Sequence, residues 1–285
     1  MITVSNSTIV IDIIPPKRRG EGIGIFGLSM TLAMAIGPLI GIWIYEQFNF
    51  TSMFYIASIL SFMGLLFALT VKYPKFIAQS EDRRLRWSKL YEKSAIPISV
   101  GLLILLIPYG GLMSYLPIYI SEIEGSKTGL FFLILAIGIG ISRLTTSKIY
   151  DRQGPDRIIT FSAFLLVIGF LVLTNIKTLV GIYASAAILG FANGIVFPTF
   201  QAMVNNIITP QRRGTANSTL LTFLDLGIGG GIMVMGSNYQ YFNLTLVFNI
   251  WAGIIILGWL FFEFYVKGYY EMKRKQSEIQ TKNII

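Results

Sequence analysis

Eight stretches of about twenty apolar residues follow one another along this chain, each long enough to cross the hydrocarbon core of a bilayer. They lie at roughly 23–44, 52–71, 95–120, 128–149, 158–176, 179–204, 215–236 and 244–265. In hydrocarbon a segment must satisfy its own backbone N–H and C=O groups, which leaves only helices and closed barrels. The length and apolarity of these runs predict an all-α integral membrane protein. Residues 1–14 read as the tail of a further span, too short to cross alone. Composition agrees: 54% of the 285 residues are hydrophobic and 13% are charged, about half the charged fraction of a soluble domain.

The loops joining neighbouring spans are short, so successive helices alternate in direction. Twenty lysines and arginines fall in one alternating set of connections and the C-terminal tail, against two, Lys127 and Lys177, in the opposite set. Arg143 lies inside a span. The positive-inside rule then places the basic loops and the C-terminus in the cytoplasm, with the chain multi-pass in the cell's inner (plasma) membrane. The formal charge of +9 follows from topology, and no nucleic-acid partner is expected. The chain has no cysteine and no histidine, which removes the commonest metal ligands and the usual near-neutral proton carrier. No cofactor or metal is expected, and proton chemistry falls to carboxylates. Nor is there a cluster of nucleophile and base that would make the chain an enzyme.

The string Pro16-Lys17-Arg18-Arg19-Gly20 recurs as Pro210-Gln211-Arg212-Arg213-Gly214, an offset of 194 residues, and a long apolar helix follows each copy. That offset exceeds any solenoid repeat and fits the paired halves of a secondary transporter, whose substrate site lies between them. Counting back by the same offset from Ala95 places the start of the first half about a hundred residues ahead of Met1. Residues 72–94 form the longest polar stretch between spans. There Arg83, Arg84, Arg86, Lys89 and Lys93 interleave with Leu85, Trp87, Leu90 and Tyr91, the pattern of an amphipathic helix lying on anionic membrane lipids. One apparent motif is set aside. Gly22-Ile23-Gly24-Ile25-Phe26-Gly27 matches a dinucleotide-binding fingerprint but enters a membrane helix instead of following a strand.

Two further patterns carry a family likeness. On the first full span, Gly24, Gly37, Pro38 and Gly41 are spaced as a glycine series ending in Gly-Pro-x-x-Gly, with Ala33 in place of one glycine. Small residues let another backbone approach, and proline removes a hydrogen bond and bends the helix. After the span 128–149, Ser147, Asp151, Arg152 and Gly154 follow the spacing Gly-x-x-x-Asp-Arg-x-Gly-Arg, with Pro155 and Asp156 where basic residues are usual. With these the chain resembles the major facilitator superfamily, specifically its drug:proton antiporter branch.

The resemblance implies a helical bundle truncated to about eight transmembrane helices plus an N-terminal helix stub. Residues 1–71 would be the remnant of an N-terminal six-helix half (the end of helix four, then five and six). Residues 72–94 would be a cytoplasmic linker, 95–265 a complete C-terminal half of helices seven to twelve, and 266–285 a cytoplasmic tail. It further implies that the glycine-rich span packs between the halves and that its signature accompanies export. Asp151 would latch a cytoplasmic-closed state by facing the positive start of that span near Gly20. An ordinary helix-ending turn accounts for the same residues.

Ionisable groups inside spans are costly and so are functional candidates. Asp225 lies eleven residues past Gly214, about 16 Å into its span at 1.5 Å per residue. A carboxylate withdrawn from water takes up protons more readily, so Asp225 is the candidate for proton coupling, with Arg143 as one possible partner. Asn193, Phe197, Gln201 and Asn205 recur at steps of four and share a slowly turning stripe. In the superfamily this helix lines the central cavity, so the resemblance implies that Asn193, Phe197 and Gln201 bind substrate. Asn205 is expected to bond between helices. On span 95–120, Tyr109 and Tyr115 are the aromatic substrate-binding candidates, while Tyr119 is assigned to the interfacial belt. Pro108, Gly110, Gly111 and Pro117 predict that this helix is broken and mobile.

The reading is a secondary active transporter that exports small amphipathic compounds against protons by alternating access. Its partners are the small-molecule substrate, protons and membrane lipids. A metabolite or sugar importer of the same superfamily, or a remnant that transports nothing, are the alternatives.

Overall fold

The computed structural model describes residues 50–70, 91–121, 123, 127–209, 212–239 and 241–282, together with 33, 36, 37, 40–45 and 47–49. Among these residues every regular element is a helix. Helix α1 spans Phe50–Thr70 and α2 spans Ile96–Ser121 after a single 3₁₀ turn. Helices α3, Thr128–Gln153, and α4, Pro155–Asn175, follow. Then come α5, Leu179–Ile207, α6, Arg213–Tyr239, and α7, Leu244–Phe261. A π-helical turn, Phe262–Val266, joins α7 to α8, Lys267–Lys282. Six of these helical segments are long and apolar enough to cross a membrane, and α3 contributes a shorter apolar stretch, Thr128–Arg143.

Local chemistry sets these boundaries. Asn243 Oδ1 accepts from the backbone N–H of Thr245 at 3.0 Å and caps α7. Thr178 Oγ1 does the same for α5 through Gly181 at 3.2 Å. Between α3 and α4 a single residue turns the chain. Gly154 has φ +75°, which costs a residue with a Cβ but not glycine, and Pro155 opens α4 where its missing N–H is harmless. The span expected to end at 149 therefore runs on to Gln153, placing Asp151 and Arg152 in the last turn of α3 and not in a loop.

Packing follows small residues. A Cβ on Gly110 of α2 would overlap the Ile228 carbonyl of α6, and one on Gly231 of α6 would overlap the Ile107 carbonyl of α2. The two backbones are thus in direct contact. Helices α3 and α5 repeat this arrangement, with Gly190 against Leu135 and Gly194 against Ser142 and Ile139. Lipid tails are as apolar as leucine, so helix association in a bilayer relies on such close contact instead of on excluding water. This also corrects the expectation for α2, which is one continuous helix through Pro108, Gly110, Gly111 and Pro117. Gly111 is small because the Trp251 indole of α7 lies against it, not because the helix breaks there.

Helices α6, α2, α7, α4, α5 and α3 contact one another in that order, and α2 meets α5 across the middle. The arc is open between α3 and α6. Its core holds Trp251, Phe131, Phe170, Phe200, Phe248 and Phe262, all fully buried. Tyr119 belongs there too, contrary to its assignment to an interfacial belt. It packs edge-on to Phe248, and its hydroxyl donates to the Leu173 carbonyl at 3.1 Å. Some polar groups within the helices are paired across them. Ser162 Oγ donates to the Ala192 carbonyl at 3.0 Å, and Thr174 Oγ1 to Asn249 Oδ1 at 2.8 Å. Asn205 and Asn217 exchange amide hydrogen bonds between α5 and α6, as expected for Asn205.

The second copy of the basic string has a structural role. Arg212 Nε lies 3.0 Å from Glu92 Oε2, and the Glu92 carboxylate is almost entirely buried. The Glu92 backbone N–H donates to Thr219 Oγ1 at 2.9 Å. The entrance to α2 and the entrance to α6 are thereby fastened together.

No residue of α1 is buried. In contrast, Ile42, from the segment ahead of α1, packs against the core of the arc, and Ile44 is itself buried. Gly37 and Gly41 of the glycine series have open space around them. Residues 1–32, with Gly24 and the stub expected at 1–14, and also Pro38 and the linker segment 71–90, lie outside the described residues, as does the proposed latch between Asp151 and Gly20.

The backbone contacts make a specific prediction. Gly110→Val and Gly231→Val each force α2 from α6 and cost about 1–3 kcal/mol of stability. Gly253→Ala, where a Cβ meets open space, is neutral or stabilising by up to about 1 kcal/mol. Thermal unfolding of the purified protein in detergent compares the three.

Candidate substrate site

Helix α5 is fixed in rotation by its neighbours. At about 100° per residue, Gly190 and Gly194 point toward α3 and Phe200 packs over Gly101 of α2. Asn193, Phe197 and Gln201 fall in the arc between these two contact lines, toward the open side of the bundle, and all three are half-buried. The four-residue spacing thus forms one face, as expected.

Asn193 is oriented by its own helix. Its Nδ2 donates to the Leu189 carbonyl one turn back at 2.9 Å. Its Oδ1 is buried and accepts no hydrogen bond from any described residue. A buried acceptor left without a donor costs about 1–3 kcal/mol, so this oxygen is set to receive an N–H or O–H from a ligand or a water.

From α2, Tyr109 reaches the same region and stands near Arg143 of α3. Arg143 follows Ser142, the residue that meets Gly194 beside Asn193. Helices α3 and α5 run in the same direction, and from the register of their seam Arg143 and Asn193 project to the same side of it. The site therefore combines a guanidinium, a phenol, an amide and the Phe197 ring on three helices. Sequence reasoning left Arg143 out of the binding set; the available signal was a lone arginine in an apolar run, which is costly unless it faces a polar space.

The remaining candidates are placed differently. Tyr115 lies on another side of α2 from Tyr109, with its hydroxyl over Gly236 of α6. Asp225 is exposed. It is two residues from Gly227, which faces Leu103 of α2, so it points nearly opposite that contact, on the free flank of α6. Arg143, considered as its partner, stands on α3, across the opening of the arc from α6. Among the described residues no group of three or more acidic side chains is arranged to hold a metal ion.

A family model described as "Major Facilitator Superfamily" matches residues 1–180 and 128–283. The chain belongs to the major facilitator superfamily. Members of this family are membrane transporters and not enzymes. Among curated relatives of this superfamily chain, the staphylopine export protein of Staphylococcus aureus (strain Mu50 / ATCC 700699) is 22% identical over 240 residues, covering 80% of this chain and 60% of that protein. The multidrug resistance protein MdtG of Klebsiella pneumoniae (strain 342) is 21% identical over 256 residues, covering 86% and 62%. The chain thus spans about 60% of the length of these relatives. The crystal structure of the human organic anion transporter MFSD10 (TETRAN) matches with a TM-score of 0.64 at 18% identity, over 90% of this chain and 67% of that one. The expected all-α membrane fold and efflux-type kinship are therefore established.

The chain contains no cysteine, which gives a direct test of the open face. Gln201→Cys and Phe197→Cys are expected to react with a membrane-impermeant maleimide in intact membranes. Leu257→Cys, on the exposed apolar flank of α7, is expected to remain unlabelled. Labelling measured by mass shift distinguishes a water-filled face from a lipid-covered one.

Proposed function

We propose that this chain forms the larger part of a proton-coupled exporter of small amphipathic compounds, working by alternating access in the inner (plasma) membrane with its C-terminus in the cytoplasm. The observation that carries this reading is the convergence of Tyr109, Arg143, Asn193, Phe197 and Gln201 on the uncovered side of the arc. There a second bundle would complete a cavity. Residues 1–71 then belong to the partner half, 72–94 to the connection, and 95–265 to the half in which the site lies. The packing of Ile42 on the core supports a seat between the halves for the glycine-rich span.

Arg143 extends the reading to chemistry. A guanidinium beside a phenol and an apolar ring suits a substrate that presents an anionic group along with its hydrophobic surface, and the Asn193 carboxamide oxygen suits an N–H on the same molecule. Asp225 is the proposed proton-coupling group. A charge facing hydrocarbon at mid-span costs roughly 3 kcal/mol or more, so its free flank requires water or another protein surface. Export is also consistent with the names of the efflux relatives.

The test uses everted vesicles with an acidic interior. Substrate is expected to accumulate inside as protons leave, and collapse of the pH gradient is expected to stop it. Asp225→Asn should abolish the gradient-driven component yet preserve exchange of substrate down its own gradient. Arg143→Gln should weaken binding of anionic substrates selectively, leaving neutral ones little affected. Loss of substrate from the vesicles together with the departing protons would replace the export reading with an import one, and an Asp225→Asn variant with full coupling would remove that residue from the proton path.

A further inference from the structure

Outside the arc, on the face away from the site, α4 and the end of α7 form an open groove of about 550 Å³. Its lining changes in character along both helices in the same way. On α4, Asp156 and Arg157 lie at the start, Thr160 and Phe161 one turn further in, and Phe164 deeper still. The opposite helix mirrors this order, running from Lys267 through Glu263 to Trp259. Each stripe passes from charge to aromatic surface over seven or eight residues, about 10–12 Å at helical rise. That is the polarity gradient between a lipid headgroup and the upper acyl chains.

The charges are of both signs and are incompletely paired with each other. Lys267 Nζ is 2.6 Å from Glu263 Oε1 but 3.8 Å from Asp156 Oδ2. Arg157 is exposed at the groove. Trp259 Nε1 donates to Thr160 Oγ1 at 3.1 Å, which fixes the floor. Phe161 and Phe164 are 51% and 63% exposed, facing outward from the bundle.

We infer that this groove holds one zwitterionic phospholipid with a primary ammonium headgroup. Asp156 and Glu263 accept hydrogen bonds from the ammonium, while Arg157 and Lys267 donate to the phosphate. The acyl chains lie along Phe161, Phe164 and Trp259. A choline headgroup has no N–H to donate, which leaves Glu263 with Lys267 as its partner and Asp156 with the 3.8 Å contact to Lys267. A glycerol headgroup carries net negative charge toward those carboxylates with no ammonium to offset it. This inference is independent of the transport reading, because the groove faces away from the proposed substrate side.

The experiment is native mass spectrometry of the full chain with ethanolamine, choline and glycerol phospholipids of identical acyl composition. The ethanolamine lipid is expected to be retained over the choline lipid by roughly tenfold, the scale of one charge-assisted hydrogen bond. The Asp156→Asn/Glu263→Gln double variant is expected to lose that preference and still bind phospholipid. Arg157→Gln is expected to weaken all three lipids alike. Equal retention of ethanolamine and choline lipids by the unaltered chain overturns the inference, whatever the stability of the variants. A preference that survives the double variant overturns it as well, as does preference for the glycerol lipid.

Discussion

Glycines in this bundle let helix backbones touch, and that contact sets how each helix is rotated about its axis. In a soluble bundle, water drives apolar faces together and side chains interdigitate at a distance. Within lipid that drive is absent, and close van der Waals contact between backbones takes its place. Gly110 and Gly231 bring α2 against α6, and Gly190 and Gly194 bring α3 against α5. These two seams are the arms of the arc. Each fixes the rotation of its helices, and the rotation decides which residues face the open side. Asn193, Phe197 and Gln201 are presented together because Gly190 and Gly194 occupy the adjacent face.

The same logic explains the contrast between α1 and the remainder of the fold. Helix α1 is apolar along its full length yet buries nothing, so its surface is available to lipid or to a second bundle. The six helices from α2 to α7 bury a continuous aromatic core and pair many of their internal hydroxyl and amide groups. The clasp of Glu92 with Arg212 and Thr219 closes this unit where the chain enters it. The repeated basic string therefore has a local mechanical purpose in its second copy, whichever purpose its first copy serves.

Two kinds of surface emerge on opposite sides of the bundle. The open side gathers a guanidinium, a phenol, an amide and a phenyl ring from three helices, a mixture suited to a solute of mixed polarity. The outer groove grades from charge to aromatic ring along the membrane normal, a mixture suited to a lipid.

That the chain is helical, and where most of its described helices begin and end, could be read from the residues in order. Burying a backbone in hydrocarbon allows few solutions, and run length, caps and charge all report on the same solution. The sequence also singled out Asn193, Phe197 and Gln201, because a four-residue period survives in any helix. Tertiary structure alone decided which faces meet. From composition Tyr109, Tyr115 and Tyr119 look alike, yet one stands beside Arg143, one over Gly236 and one in the core against Phe248. Proline and glycine in α2 looked like a break, when two of the glycines are contact points for α6 and α7. Helical periodicity gives a residue's angle relative to its own axis; only the neighbouring backbones give that axis its rotation.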